Sequence, residues 1–232
     1  EYGSQDSLLK PLLHTWSLSV EEQFYILFPI IFLFFFINFK KFLANFIILG
    51  IITGLIIAEI TSKNFISLNF YFIHTRIWEL LTGSLIAYYE FFEKKNFKEN
   101  ALNKFYPSIG LLMIIYSIIF FDDTMRHPSL ITLIPVLGTV LIIAFSKQNE
   151  IVNTLFSQKI FVQIGLISYS LYLWHYPVFA FSRITDFSQG DVIKKILLIF
   201  LIFILSILTY TFIERPARDR KNNLKRILFV LI

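Results

Sequence analysis

The chain has 232 residues, of which 56% are hydrophobic and only 16% charged, and its mean hydropathy is +0.68. Soluble domains carry about 25% charged residues, so this composition argues against disorder, a collagen-like fibre and a soluble globular enzyme. The formal net charge is +5, and with no cysteine there is no disulfide, thiolate or Cys-ligated zinc chemistry.

Long apolar stretches fall, in chain order, at roughly 20–38, 42–60, 70–90, 105–121, 129–145, 160–182 and 192–213. Several carry Gly, Pro or a charge, as helices do when they pack on one another in a membrane. The linkers are short and rich in Lys, Asn, Asp and Ser, and no period of about 20–50 residues marks a solenoid. The prediction is an all-α polytopic transmembrane helix bundle of about seven spans. Residues 1–226 form one partial membrane domain, and Ile227–Ile232 begin a truncated eighth span. The chain starts at Glu1 without an initiator Met, and six apolar residues fall short of the roughly 20 that cross a bilayer. It reads as a piece of a longer protein.

Basic residues test the span list independently, because cytoplasmic loops hold the excess. With residues 1–19 outside, the loops after spans one, three, five and seven hold 14 of the 21 Lys and Arg, among them Lys40, Lys94, Lys147 and Arg215. Lys10, Lys63, Arg126, Arg183, Lys194 and Lys195 lie outside, and Arg76 lies within a span. The alternation accounts for a pI of about 9.3 without nucleic acid as a partner.

Three stretches carry polar groups that are costly in a bilayer, where a central charge costs roughly 2.5–3.5 kcal/mol on insertion scales. The first is His14-Thr-Trp-Ser-Leu-Ser-Val-Glu-Glu-Gln-Phe-Tyr25. Ser19 and Glu22 fit a capping box at the start of span one, whereas Glu21 has no such structural use. In the third span Arg76 and Glu79 share a helix face, either as a self-neutralising pair or as part of a polar cavity wall. Gly83, on the same face, would admit another helix.

The sixth span carries Ser168, Tyr172 and His175 on one face, with Tyr169 and Tyr176 on an adjacent one. The tyrosines also suit an interfacial belt, which does not require His175. Ser168 and His175 are about 10 Å apart along the axis and cannot form a direct dyad. The Ser168 and Tyr172 hydroxyls are expected to fix the His175 tautomer, and Pro177 to open the helix nearby. By the charge alternation, all three polar groups fall in the outer half of the bilayer. The His residues have no spacing typical of metal ligands, and no nucleotide-binding or esterase motif occurs.

The segment from His14 to Tyr25, followed by Pro29, closely resembles the signature of the acyltransferase-3 family, polytopic bacterial membrane enzymes that O-acetylate surface glycans. Thr75-Arg-Ile-Trp-Glu-Leu-Leu-Thr-Gly83, Leu133-Ile-Pro-Val-Leu-Gly138, Ser168-Tyr-Ser-Leu-Tyr-Leu-Trp-His-Tyr-Pro177 and Ile213-Glu-Arg-Pro216 match further blocks in order. The resemblance implies three further spans upstream, which agrees with residue 1 lying outside. It also implies that an eleventh span can lead to an extracytoplasmic esterase-like domain.

By that resemblance, the protein is a multi-pass enzyme of the bacterial inner membrane. It transfers an acyl group from a donor, acetyl-CoA, to a hydroxyl of a surface or lipid-linked glycan such as O-antigen, with no bound cofactor or metal. The family's catalytic His and its Arg-rich donor motif belong upstream of Glu1, so this piece is expected to be inactive alone. Within it, Glu21, Glu22 and His175 are the candidate catalytic residues. Trp16, Arg76, Glu79, Tyr172 and Trp174 are the candidate substrate-binding residues. A transporter using the same charges as a substrate path, and a non-catalytic scaffold, are the alternatives.

Overall fold

The structure is a computed structural model that describes residues 9–64, 73–93, 104–122, 125–148, 150–187 and 191–218. Among these, every regular element is helical. A 3₁₀ turn, Leu13–Thr15, leads into α1 (Trp16–Asn38), followed by α2 (Leu43–Asn64), α3 (Ile73–Phe91), α4 (Tyr106–Phe120) and α5 (Leu133–Phe145). A short α6 (Ile151–Phe156) precedes α7 (Lys159–Ile184) and α8 (Val192–Thr209). The chain then continues through a π-helical turn, Tyr210–Glu214, and a last turn, Arg215–Arg218.

The seven longer helices coincide with the seven apolar stretches. Three segments, Leu13–Asn38, Lys40–Lys63 and Val192–Arg218, are long and apolar enough to cross a membrane by length and composition. α4 has only 15 residues and α5 only 13, so both fall short on length. In α3 and α7, Arg, Glu, His and Ser interrupt the apolar run. The stub Ile227–Ile232 lies outside the described residues.

Local chemistry sets most of the boundaries. Asp191 caps α8 by accepting from the backbone N–H groups of Ile193 and Lys194 at 2.9 and 3.3 Å. Pro107 sits in the first turn of α4, where its missing N–H costs nothing. The expected capping box at Ser19 is not formed. α1 begins at Trp16, continuing directly from the 3₁₀ turn, so Ser19 is already inside the helix and is not its cap. α7 runs unbroken past Pro177 to Ile184.

The described residues divide into two compact units, one within Trp16–Phe156 and one that joins residues 9–15 to residues 157–187 and 191–218. In the first unit, Phe24, Leu43, Ile47, Leu81 and Tyr88 form a core where α1, α2 and α3 meet. Phenylalanines four apart on α1 stack along it: Phe24 on Phe28 at 4.7 Å between centroids, then Phe32 and Phe36, both against Phe92. Gly54 of α2 faces Trp78 of α3, which is fully buried. α4 and α5 cross at paired glycines. A Cβ on Gly138 would sit 2.7 Å from the Gly110 carbonyl oxygen, and one on Gly110 would overlap the Gly138 carbonyl. The expected close approach at Gly83 is not seen, because a Cβ there would meet nothing within 4 Å.

In the second unit, α7 packs on α8. Large apolar side chains are exposed along the outer faces, among them Ile30, Phe34 and Ile37 of α1 and Ile196 and Phe200 of α8. An apolar surface of that extent is stable under lipid or further protein.

Candidate functional site

Two polar clusters are built, one in each unit. The first gathers around His14. The turn Leu13–Thr15 holds this imidazole at 3% exposure. Its ring centroid lies 5.0 Å from Tyr172, 5.3 Å from His175 and 5.0 Å from Tyr176, the last stacked at 19°. The Tyr172 hydroxyl donates a short hydrogen bond to the His14 backbone carbonyl and so ties α7 to the turn. The backbones of Pro11 and Tyr172 lie near the His14 ring. Even so, among the described residues neither ring nitrogen makes a hydrogen bond of good geometry.

His175 is better placed. Its Nδ1 lies 2.7 Å from the Tyr172 carbonyl oxygen. A carbonyl can only accept, so Nδ1 carries a proton, and Nε2 is the nitrogen left to exchange one. Backbone, and not the expected hydroxyls, therefore sets the tautomer. Ser168 is exposed and donates instead to the Gly165 carbonyl at 2.8 Å, while Tyr172 spends its hydroxyl on His14.

Neighbouring groups on α7 hold the helix in place. Trp174 Nε1 donates to Thr209 Oγ1 of α8 at 2.8 Å. Fully buried Ser170 donates to Glu214 Oε2 at 2.7 Å, and Arg218 closes on the other oxygen of that carboxylate at 2.6 Å. The π turn supplies the geometry. Its wider winding ends at Glu214, whose side chain is 8% exposed and faces α7.

The second cluster is charged. The Arg76 guanidinium lies 4.8 Å over the Trp16 ring and 4.0 Å from Glu79 Oε2. The ion pair is thus long, and the buried Oε1 of Glu79 has no hydrogen-bond partner among the described residues. Trp78, one residue away, is fully buried with its indole N–H unpaired. His127 belongs to this group as well. Burial, and after it the charge of Arg76, push its imidazole below the ordinary value. Its Nδ1 lies 3.3 Å from Thr132 Oγ1, and its ring stacks on Phe121 at 5.3 Å.

Of the candidate residues, Tyr172 and His175 share the first cluster, and Trp16, Arg76 and Glu79 make up the second. Trp174 lies beside the first cluster as an anchor to α8. Glu21 and Glu22 are exposed on α1 and make no hydrogen bond or ion pair among the described residues.

The blocks that build both clusters are those that carry the family resemblance. A profile described as an acyltransferase domain, Acyl_transf_3, matches residues 2–214. The chain belongs to this acyltransferase family. It is 31% identical to the O-acetyltransferase OatA of Staphylococcus aureus strain NCTC 8325 over 228 residues, covering 91% of this chain and 37% of that protein. A second relative, SACOL0978 of Staphylococcus aureus strain COL, is provisionally named an O-acetyltransferase. It is 34% identical over 229 residues, covering 94% of this chain and 38% of its own. The chain therefore spans well under half the length of these relatives. No solved structure matches it at a significant level.

Two residues of this acyltransferase-family chain, His14 and His127, enter the clusters without having been singled out from sequence. His14 opens the block most specific to the family. Its 158-residue separation from Tyr172 hides the contact from any local pattern. His127 lies in a loop, and only folding brings Arg76 near it.

Proposed function

We propose that the complete protein is a multi-pass O-acyltransferase of the bacterial inner membrane, moving an acetyl group from acetyl-CoA to a hydroxyl of a surface or lipid-linked glycan. The observation that carries this reading is the His175 ring. Its Nδ1 is held on a backbone carbonyl, Nε2 is left to exchange a proton, and it packs beside a buried second imidazole. Acyl transfer needs a base of that kind. The acceptor oxygen attacks the thioester carbonyl, and its proton passes to an imidazole nitrogen. The C–O bond forms, the C–S bond breaks, and the coenzyme thiolate leaves.

In this reading His175, alone or together with the upstream His that the resemblance implies, takes that proton. Tyr172 and Tyr176 hold His14 against it. Arg76 and Glu79, with Trp16 as a flat apolar surface, position the acceptor. Glu21 and Glu22 serve only where the rest of the protein covers α1. Trp174 keeps α7 in register with α8.

The test uses the complete protein in proteoliposomes, with acetyl-labelled coenzyme A and a glycan acceptor. Alkali-labile label should appear on the glycan. Hydrolysis of the donor without labelled glycan, or no turnover at all, would defeat the reading.

A further inference from the structure

A cavity of about 310 Å³ lies beside the His127 loop, between the C-terminal turn of α2 and the start of the segment leading into α5. Glu59, Ser62, Met125, Arg126, Ser129, Leu130 and Ile131 line it. The charge alternation places this end of α2 outside the membrane, on the acceptor's side.

The cavity is built, not merely left open. Glu59 Oε1 is paired with Lys63 at 3.1 Å, and Oε2 accepts from the Leu130 backbone N–H at 3.1 Å. Each carboxylate oxygen thus keeps acceptor capacity. Buried Ser62 gives its proton to the Glu59 carbonyl at 2.8 Å, so its hydroxyl oxygen can only accept from a ligand. Ser129 gives its proton to the Arg126 carbonyl at 2.6 Å and receives the Ile131 N–H. Arg126 is exposed at the rim, and its guanidinium makes no ion pair among the described residues. Met125, Leu130 and Ile131 supply apolar surface.

Acceptors fixed in the interior, a donor fork at the rim and an apolar wall match a ring with several hydroxyls and a C–H face. A phosphate would have to compete with Glu59 for Lys63 and would find Arg126 alone as a donor at the rim, whereas the fixed acceptors Glu59 and Ser62 would be left without partners. We infer that the Glu59–Ser62–Arg126–Ser129 cavity is a saccharide subsite that holds one sugar ring of the glycan acceptor away from the reacting hydroxyl. This rests on the glycan-acceptor reading above. Glu59 and Ser62 accept from ring hydroxyls, Arg126 donates to ring or glycosidic oxygens, and Leu130 and Ile131 pack on the C–H face.

The complete protein with a single cysteine at Ile131→Cys tests this, with Phe91→Cys, exposed at the opposite end of the α2–α3 pair, as the reference, by the rate of N-ethylmaleimide alkylation. At ~10 mM, chitotetraose or maltotetraose should slow Ile131→Cys at least about threefold, the protection expected of a ligand with Kd near 5 mM. The reference should be unchanged. Adding Glu59→Gln should abolish the protection. If that variant melts early, Arg126→Ala at the exposed rim replaces it. In the transfer assay both should raise acceptor KM about tenfold, the worth of one good hydrogen bond, and leave kcat in place.

Protection by glycerophosphate or by short-chain phosphatidylglycerol, and not by either tetrasaccharide, would reassign the cavity to a lipid headgroup and overturn the inference. So would the absence of protection by either sugar. If wild-type transfer is intact in that case, the enzyme reading survives and only the subsite falls.

Discussion

The cluster around His14 and the one around Arg76 solve opposite problems. The first consists of imidazole and phenol rings packed together, and backbone carbonyls hold two of its members in a fixed orientation. The second is ionic. Its charges meet at 4.0 Å, and one carboxylate oxygen is buried without a partner. An imidazole with one nitrogen held on a carbonyl suits proton transfer, whereas a loosely closed ion pair suits the capture of a polar ligand. On the proposed function, this difference puts the chemistry on α7 and the positioning on α3.

The largest expected effect therefore falls on α7. His175→Gln keeps a hydrogen-bonding side chain but removes the proton-accepting nitrogen. In the complete enzyme at matched expression it should lower acetyl transfer by about 10²-fold or more. A loss under about threefold would make the two clusters equivalent and remove His175 from the site.

The ion pair sharpens the contrast in a different way. Arg76→Met alone leaves the Glu79 carboxylate in an apolar setting and should cost about 3–5 kcal/mol of stability. The double change Arg76→Met with Glu79→Leu should restore the melting temperature and leave transfer impaired through acceptor KM. If the double variant regains wild-type transfer, the pair is structural.

Packing supplies a control that involves neither cluster. Gly110→Ala forces a methyl group onto the backbone of α5 and should destabilise by about 1–3 kcal/mol, measured as a loss of melting temperature. Gly83→Ala on α3, in open space, should cost no stability. Equal effects at the two glycines would mean that α4 and α5 do not cross as described.

How far the sequence discloses these features depends on how local each one is. Seven helices were legible because apolar runs between Lys-rich linkers signal themselves. The start of α1 was not, because Ser19 and Glu22 imitate a cap wherever the helix begins. Gly83 attracted attention through Glu79. The close crossing instead falls on Gly110 and Gly138, in plain apolar runs where periodicity cannot say which face meets a neighbour. His175 and Arg76 were found as polar residues out of place in lipid. His14 sits before an apolar run and gave no such signal, and its role emerges only when α7 folds onto the turn. The Glu59–Arg126 cavity joins residues some seventy positions apart, and neither is unusual at a helix end.

The smallest expected effect concerns pH. The folded state lowers the His127 pKa below about 6.5, so it favours the neutral ring. Between the folded and ordinary values the unfolded chain binds more protons. Stability should therefore fall as pH drops through about 6.5 and level off below the folded value. NMR titration of His127 should give a midpoint below the ordinary value, and Arg76→Met should move it up. An unchanged midpoint would separate His127 from the charged cluster.

The most direct measurement for the central claim is a double-mutant cycle on the two imidazoles, His14→Gln and His175→Gln, read as acetyl transfer by the complete enzyme. Residues that act as a unit are non-additive, so each single change should lower transfer by about 10²-fold and the double change hardly further. Independent, multiplying losses, or wild-type transfer in His14→Gln, would contradict the assignment of this paired site as the catalytic centre.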